Sequence, residues 1–253
     1  MALNSVVSGA AMAPPRICIY GPPGVGKTTF AAGAGKHSIF VPTEEGADVV
    51  GVDRFPLCQS VGAVMQAMDD LLNEDHQYKV VAVDSLDWFE TLVWDQACID
   101  AGAQSIEEIG GGYGKGYIAA LAYHRQLLGK LTQLRREKGM ACVLLAHSQV
   151  KRFEDPTTEA FDRFEIKLHK RASDLYTEFC DVVGFANVKM TTRETTSSFG
   201  QKKVKAVGSG ERVLRCASRP NFVAKTRYPI PDELPLEWGA LMSSITKKES
   251  SNG

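Results

Sequence analysis

The stretch RICIYGPPGVGKTT, residues 16–29, constrains this chain more than any other. An apolar run leads directly into Gly21, Pro22, Pro23, Gly24, Val25, Gly26, Lys27, Thr28 and Thr29. The spacing G-x-x-x-x-G-K-[ST] suits a loop whose backbone N–H groups curl around phosphate oxygens, with glycine wherever a Cβ would clash. In that reading Lys27 reaches the β- and γ-phosphates of a triphosphate, and the Thr28 hydroxyl is placed on Mg²⁺. The residues that follow open a helix whose positive end faces the anion. This strand–loop–helix setting weighs against the alternative, a glycine-rich turn without a ligand.

A strand of this kind needs a sheet around it. The chain has 253 residues, enough for one large α/β domain or two small ones. Its 44% hydrophobic and 23% charged residues are those of an ordinary globular protein. The net charge of −1 does not by itself favour nucleic acid. Six cysteines are spread along the chain without paired spacing, which predicts reduced thiols rather than a disulfide framework or a zinc site. No apolar run has the length of a membrane span, and the opening lacks the basic region of a cleaved signal. These features predict a soluble, cytoplasmic protein.

The pattern alternates strand and helix: RICIY, TTFAAGAGK, SIFVP, SVGAVMQAMDDLLNE, YKVVAVDS, WFETLVWDQACIDAG, YIAALAYHRQLLGKLTQLRREKG and MACVLLAHS. That order predicts a mostly parallel sheet with helices on both faces. The last third, with DVVGFANVKMTT, KKVKAVG, RVLRCAS and FVAKTRY, reads as successive strands, a β-rich C-terminal extension. Residues 1–14 are expected to form a loose arm, 15–243 one domain, and 244–253 a polar tail.

Three further positions lie at predicted strand ends. Asp84 is the first charge after VVAV and suits a metal-organising carboxylate; the alternative is a helix N-cap. Hydrolysis also needs a group to deprotonate water, and Ser85 stands where a second acid could follow Asp84. Glu44 and Glu45, just past SIFVP, are the candidates, with a solvated turn pair as the alternative. His147 ends the fourth strand and is either a phosphate sensor or a structural histidine.

Together these pieces resemble the RecA-like recombinase core. The phosphate loop, a carboxylate after the second strand, Asp-Ser after the third and a polar residue after the fourth stand in family order. The resemblance favours Glu44 over Glu45 as the base. It also reads FVAKTRYPIP as the strand whose two cations, here Lys225 and Arg227, reach the γ-phosphate of a neighbouring subunit. More narrowly, the chain resembles compact phage-encoded RecA-like ATPases that promote single-strand annealing beside a single-strand-binding protein. The resemblance implies ATP and Mg²⁺ as cofactors, single-stranded DNA and such a protein as partners, the host cytoplasm as location, and a homo-oligomer, ring or filament. His147-Ser148 departs from the family's Asn-Gln, and no separate domain is expected before the phosphate loop. These departures favour annealing and ATP-dependent DNA binding over strand exchange.

Three segments could meet DNA. From Gly200 to Tyr228 eight Lys/Arg (202, 203, 205, 212, 215, 219, 225 and 227) face one acid, Glu211. The stretch VKRFEDPTTEAFDRFEIKLHKRAS interleaves cations with Phe153, Phe161 and Phe164, and reads as a DNA loop or a solvated helix. GGGYGKGY is a second DNA loop or a flexible connection. Both loops are expected to leave the carboxyl edge of the sheet. A small-molecule kinase and a nucleotide-switched binding module are the rival readings.

Overall fold

A computed structural model describes residues 13–154, 159–196 and 202–246, with backbone alone at 190–196 and 202–209. The first half runs β1 (Arg16–Gly21), α1 (Lys27–Ala32), β2 (Ser38–Pro42), β3 (Asp53–Arg54), α2 (Val61–Asn73), β4 (Val80–Asp84) and α3 (Leu86–Ala101). Next come α4 (Lys115–Glu137), β5 (Ala141–Phe153), β6 (Phe161–Ile166) and α5 (Lys170–Phe179). The chain then forms β7 (Val182–Thr196), β8 (Lys202–Arg215), β9 (Lys225–Thr226), β10 (Glu233–Pro235) and α6 (Trp238–Thr246).

The sheet order is β3-β2-β4-β5-β1-β7-β8-β10. The pairs from β3 to β7 are parallel, whereas β8, β9 and β10 add antiparallel partners. This is the expected α/β architecture with a β-rich extension. Parallel strands buried on both faces read as continuous apolar runs, and β1, β2, β4 and the first half of β5 are such runs.

Alternate residues of these strands supply two cores. Cys18, Val83 and Leu144 pack with Met68, Phe89, Leu127 and Tyr176 from α2, α3, α4 and α5. Ile17, Ala82 and Val143 pack on the opposite face with Phe30 of α1 and Leu241 of α6. Helices therefore cover both faces. No described helix is long and apolar enough to cross a membrane.

Register brings the strand ends level. Gly21 lies beside His147, Asp84 beside Leu145, and Pro42 beside Asp84. Gly21 must be glycine because a Cβ there would sit 2.3 Å from the Ala186 carbonyl oxygen of β7.

On either side of residues 155–158, the described part of the polar stretch after His147 is mostly strand rather than a solvated helix. β5 continues to Phe153 and pairs antiparallel with β6, and α5 follows. FDRFEI carries Phe161, Phe164 and Ile166 without strict alternation, and pairing with β5 is what makes it a strand. KKVKAVG and RVLRCAS belong to one strand, β8, not two. Only Lys225–Thr226 of FVAKTRY is strand. Helix α6 runs into the expected tail because Trp238, Leu241 and Ile245 share one apolar face, with Leu241 and Ile245 buried. Residues 1–12 and 247–253, and the side chains of Lys202, Lys203 and Lys205, lie outside the described residues.

At the amino edge, Asp181 is buried and accepts from the Arg16 backbone and guanidinium and from Arg227, at 2.7–3.2 Å. Burial raises its carboxyl pKa, but the hydrogen bonds from Arg16 outweigh this and hold it below the usual range. Its contribution to stability is thus present above the ordinary carboxylate pKa and lost as pH falls through the lowered value. Asp181→Ala should cost about 3 kcal/mol, since it strands a semi-buried arginine. The thermal midpoint at pH 7 should fall by roughly 6–12 °C; an unchanged midpoint would remove this pairing from the account of stability.

Candidate functional site

The loop after β1 turns through two left-handed glycines, Gly24 (φ 73°) and Gly26 (φ 103°), before α1 starts. Lys27 is buried within it, and its Nζ donates to the Gly21 and Pro22 carbonyls at 3.2 Å each. Burial lowers its pKa. Lys27 is therefore held inside its own loop by bonds that an incoming phosphate could replace.

Thr28 joins the loop to β4, its hydroxyl donating to Asp84 Oδ2 at 2.8 Å. Asp84 is buried, and burial raises its pKa against the opposing pull of Thr28 and Lys27. The N-cap of α3 is Ser85, so Asp84 is not the cap. The Asp84–Ser85 peptide is cis. Thr28 and Asp84 offer oxygen donors, the kind that a hard divalent cation takes.

Glu44 and Glu45 differ in setting. The Glu44 backbone N–H donates to the Asp84 carbonyl, and its half-buried carboxylate stands 4.0 Å from His147 Nδ1. Burial is the main cause of its raised pKa. Glu45 is exposed. His147 in turn is fixed by a residue that sequence reasoning passed over. Asp87 Oδ1 accepts from the His147 backbone N–H and Oδ2 pairs with Nδ1, both at 2.9 Å. For that second bond Nδ1 must carry the proton. Burial pushes Asp87 up, but its bonds to His147 hold it low. Asp87 is the second residue of α3 and lies sixty residues from His147, a separation at which no spacing signal survives.

Lys225 and Arg227 are not part of this cluster within one chain. The Arg227 backbone N–H donates to the Asp181 carbonyl, and the Asp181 N–H to Arg16, where β1 begins. Gly21 ends the same six-residue strand, roughly 17 Å away at 3.3 Å per residue. There Lys225 Nζ donates to the Thr177 and Glu178 carbonyls at the end of α5 (2.6 and 3.2 Å), a favourable place for a cation.

The β5–β6 hairpin rises beyond the same carboxyl edge. Arg163 lies over the Phe153 ring at 3.8 Å, and a cavity of about 420 Å³ beneath is lined by Lys151, Arg152, Phe153, Arg163 and Lys170. Three of these cations are paired with acids, Arg152 with Asp162, Arg163 with Glu165 and Lys170 with Asp174. The glycine-rich loop follows α3, so it does not leave the sheet edge directly. It exposes Tyr113, 98% accessible, at φ 55°. Tyr117, just beyond, stacks on His169 at 4.3 Å and 2°.

Glu90 lies under that stack, accepting from the His169 N–H. Burial pushes its carboxyl up to about 7. Nearby His124 is lowered to about 4 by burial, so it supplies no balancing charge at neutral pH. A carboxyl raised in the fold stabilises below its unfolded pKa and loses that contribution as pH rises to the folded value. Glu90→Gln should therefore raise stability at pH 8, by on the order of 2 kcal/mol, and change little at pH 5. Paired urea titrations at the two pH values read this difference, and equal shifts at both would contradict it.

A phosphate loop on the central strand of a parallel sheet, tied through its threonine to a buried aspartate two strands away, defines the P-loop nucleotide-binding class. A protein-family model described as an AAA domain matches residues 13–228, and the chain belongs to that family. Among solved structures, the chain is similar to one titled as the RadB recombinase, at 18% identity and a TM-score of 0.45. That alignment covers 84% of this chain and 86% of the other. No curated protein matches.

Proposed function

We propose that this protein is a Mg²⁺-dependent, RecA-like ATPase that binds single-stranded DNA and serves annealing or homologous recombination as a head-to-tail oligomer. The observation that carries the reading is the grouping of Lys27, Thr28, Asp84, Glu44 and His147 at one end of the sheet. Bound Mg²⁺ would offset charge on the phosphates, held by Thr28 and organised by Asp84. Among the described residues no cluster of three or more His, Cys, Asp or Glu could hold a metal alone. That suits an ion that arrives with its phosphates.

Glu44 is assigned as the base that takes a proton from the attacking water. Its raised pKa brings it closer to neutrality, where a base works best. His147, kept by Asp87 in one orientation, is the sensor beside it. Lys225 and Arg227 supply charge in trans. Their place at the opposite edge of their own chain suits a heterologous contact, in which one protomer's carboxyl edge meets the next one's amino edge. The hairpin cations beside Phe153 and the Tyr117–His169 stack supply phosphate contacts and base platforms for a single strand. A phage origin and a single-strand-binding partner in the host cytoplasm rest on the resemblance alone.

The deciding experiment is ATP turnover with and without single-stranded DNA at two salt concentrations. DNA-stimulated turnover that weakens with salt is expected; binding without turnover would favour a nucleotide-switched module. Glu44→Gln should retain nucleotide and lose about 10²–10⁴ in turnover. In the parent, turnover should fall with acid from a higher pH than an ordinary glutamate would give. Lys225→Ala should lose roughly 10³ or more in turnover. Mixing it with Glu44→Gln protomers should restore part of the rate, since each supplies what the other lacks. Absence of any recovery would count against a shared site.

A further inference from the structure

The glycine that precedes Lys27 is covered by a side chain from the far end of the sequence. A Cβ placed on Gly26 would lie 2.9 Å from Arg212 Nη1 and 3.7 Å from its Cδ and Cζ. The Arg212 guanidinium therefore rests directly against the phosphate loop of its own chain. Its position follows from the strand. Arg212 and Leu214 point to one face of β8, and Leu214 packs into the core that holds Phe30 of α1. Arg212 is the next residue outward on that face, paired opposite Val188 of β7. Its own carbonyl is fixed by the Leu236 N–H.

The cations around it have partners. Lys189 pairs with Glu233, Arg215 with Glu233, Arg219 with Asp232, and Arg227 with Asp181. Lys225 is bonded to carbonyls. Arg212 is exposed, and among the described residues its guanidinium has no hydrogen bond or ion pair. A permanent positive charge held against an anion-binding loop, with no carboxylate to neutralise it, matches a ligand that brings negative charge. A guanidinium presents two parallel donors, the geometry that phosphate oxygens accept.

We propose that Arg212 is a nucleotide-binding residue supplied in cis, contacting the phosphates that ADP and ATP share. The choice of phosphates follows from the flanks of the loop. Asp84, Glu44 and His147 stand on the β4, β2 and β5 side, where the hydrolysed end belongs. Arg212 approaches from the β7–β8 side. It thus acts on affinity for diphosphate and triphosphate alike, and is distinct from Lys225 and Arg227, which lie at the other edge. The inference rests on the nucleotide reading of the loop.

The test measures equilibrium binding in the full chain with Mg²⁺, by displacement of a fluorescent ADP analogue with ADP, ATP and inorganic pyrophosphate. Arg212→Ala should weaken all three by a similar factor, about tenfold or more, and Arg212→Lys by less. Circular dichroism checks the fold, and Arg212→Gln replaces the alanine variant if that one unfolds. Parent-like affinity for all three ligands would overturn the proposal. So would weakened ADP with unchanged pyrophosphate, which would place the guanidinium on the base or ribose. If the parent binds none of the three, the nucleotide reading itself fails, an outcome that leaves a different signature from a defect confined to the variant.

Discussion

The hydrogen bond from Thr28 to Asp84 is the constraint on which the site depends. It ties the loop after the first strand to the end of the fourth, two strands that are not neighbours, since β5 lies between them. It forms because parallel register ends the strands at one level. Were β4 to slip by one residue, Asp84 would exchange faces with its neighbour and the pair would part. Register here is set by burial on both faces, so the cores of the protein fix the chemistry at its edge.

From that bond the remaining groups fall into two kinds. Asp84 and Glu44 are carboxylates made less acidic by burial, and Lys27 an ammonium made less basic by it. Each would be relieved by a ligand that brings compensating charge. Asp87 and Asp181 are the opposite kind, carboxylates kept charged by partners already present. The first kind marks a place prepared for something else; the second marks a finished structure. Arg212 belongs with the first, having charge but no partner among the described residues.

Much of this was readable in the chain. RICIY, SIFVP and VVAVD announce buried parallel strands, and the loop glycines and Lys27 stand at fixed spacing. Where the signal was local, the structure follows it. The hairpin after His147 was less legible, because its mixture of Phe, Asp, Arg and Glu resembles a solvated face until pairing with β5 makes it a strand. Asp87 beside His147 and Arg212 beside Gly26 were not legible at all. Each joins residues far apart in sequence, and only the packing of strands and helices decides that they meet. The helix at Trp238 was missed for a related reason: its apolar face is short and makes sense only against α1.

That last contact reaches further than its size suggests. α1 has six residues, too few to hold a helix alone. Trp238 sets its ring edge-on to Phe30 at 5.9 Å and brings its Cβ so close to Gly33 that no larger residue fits there without a shift. The helix behind the phosphate loop is thus braced by the final helical segment of the described chain. A truncation or fusion near position 238 would act on the anion-binding turn more than two hundred residues upstream, so that α6 serves as a buttress for the first helix of the described residues.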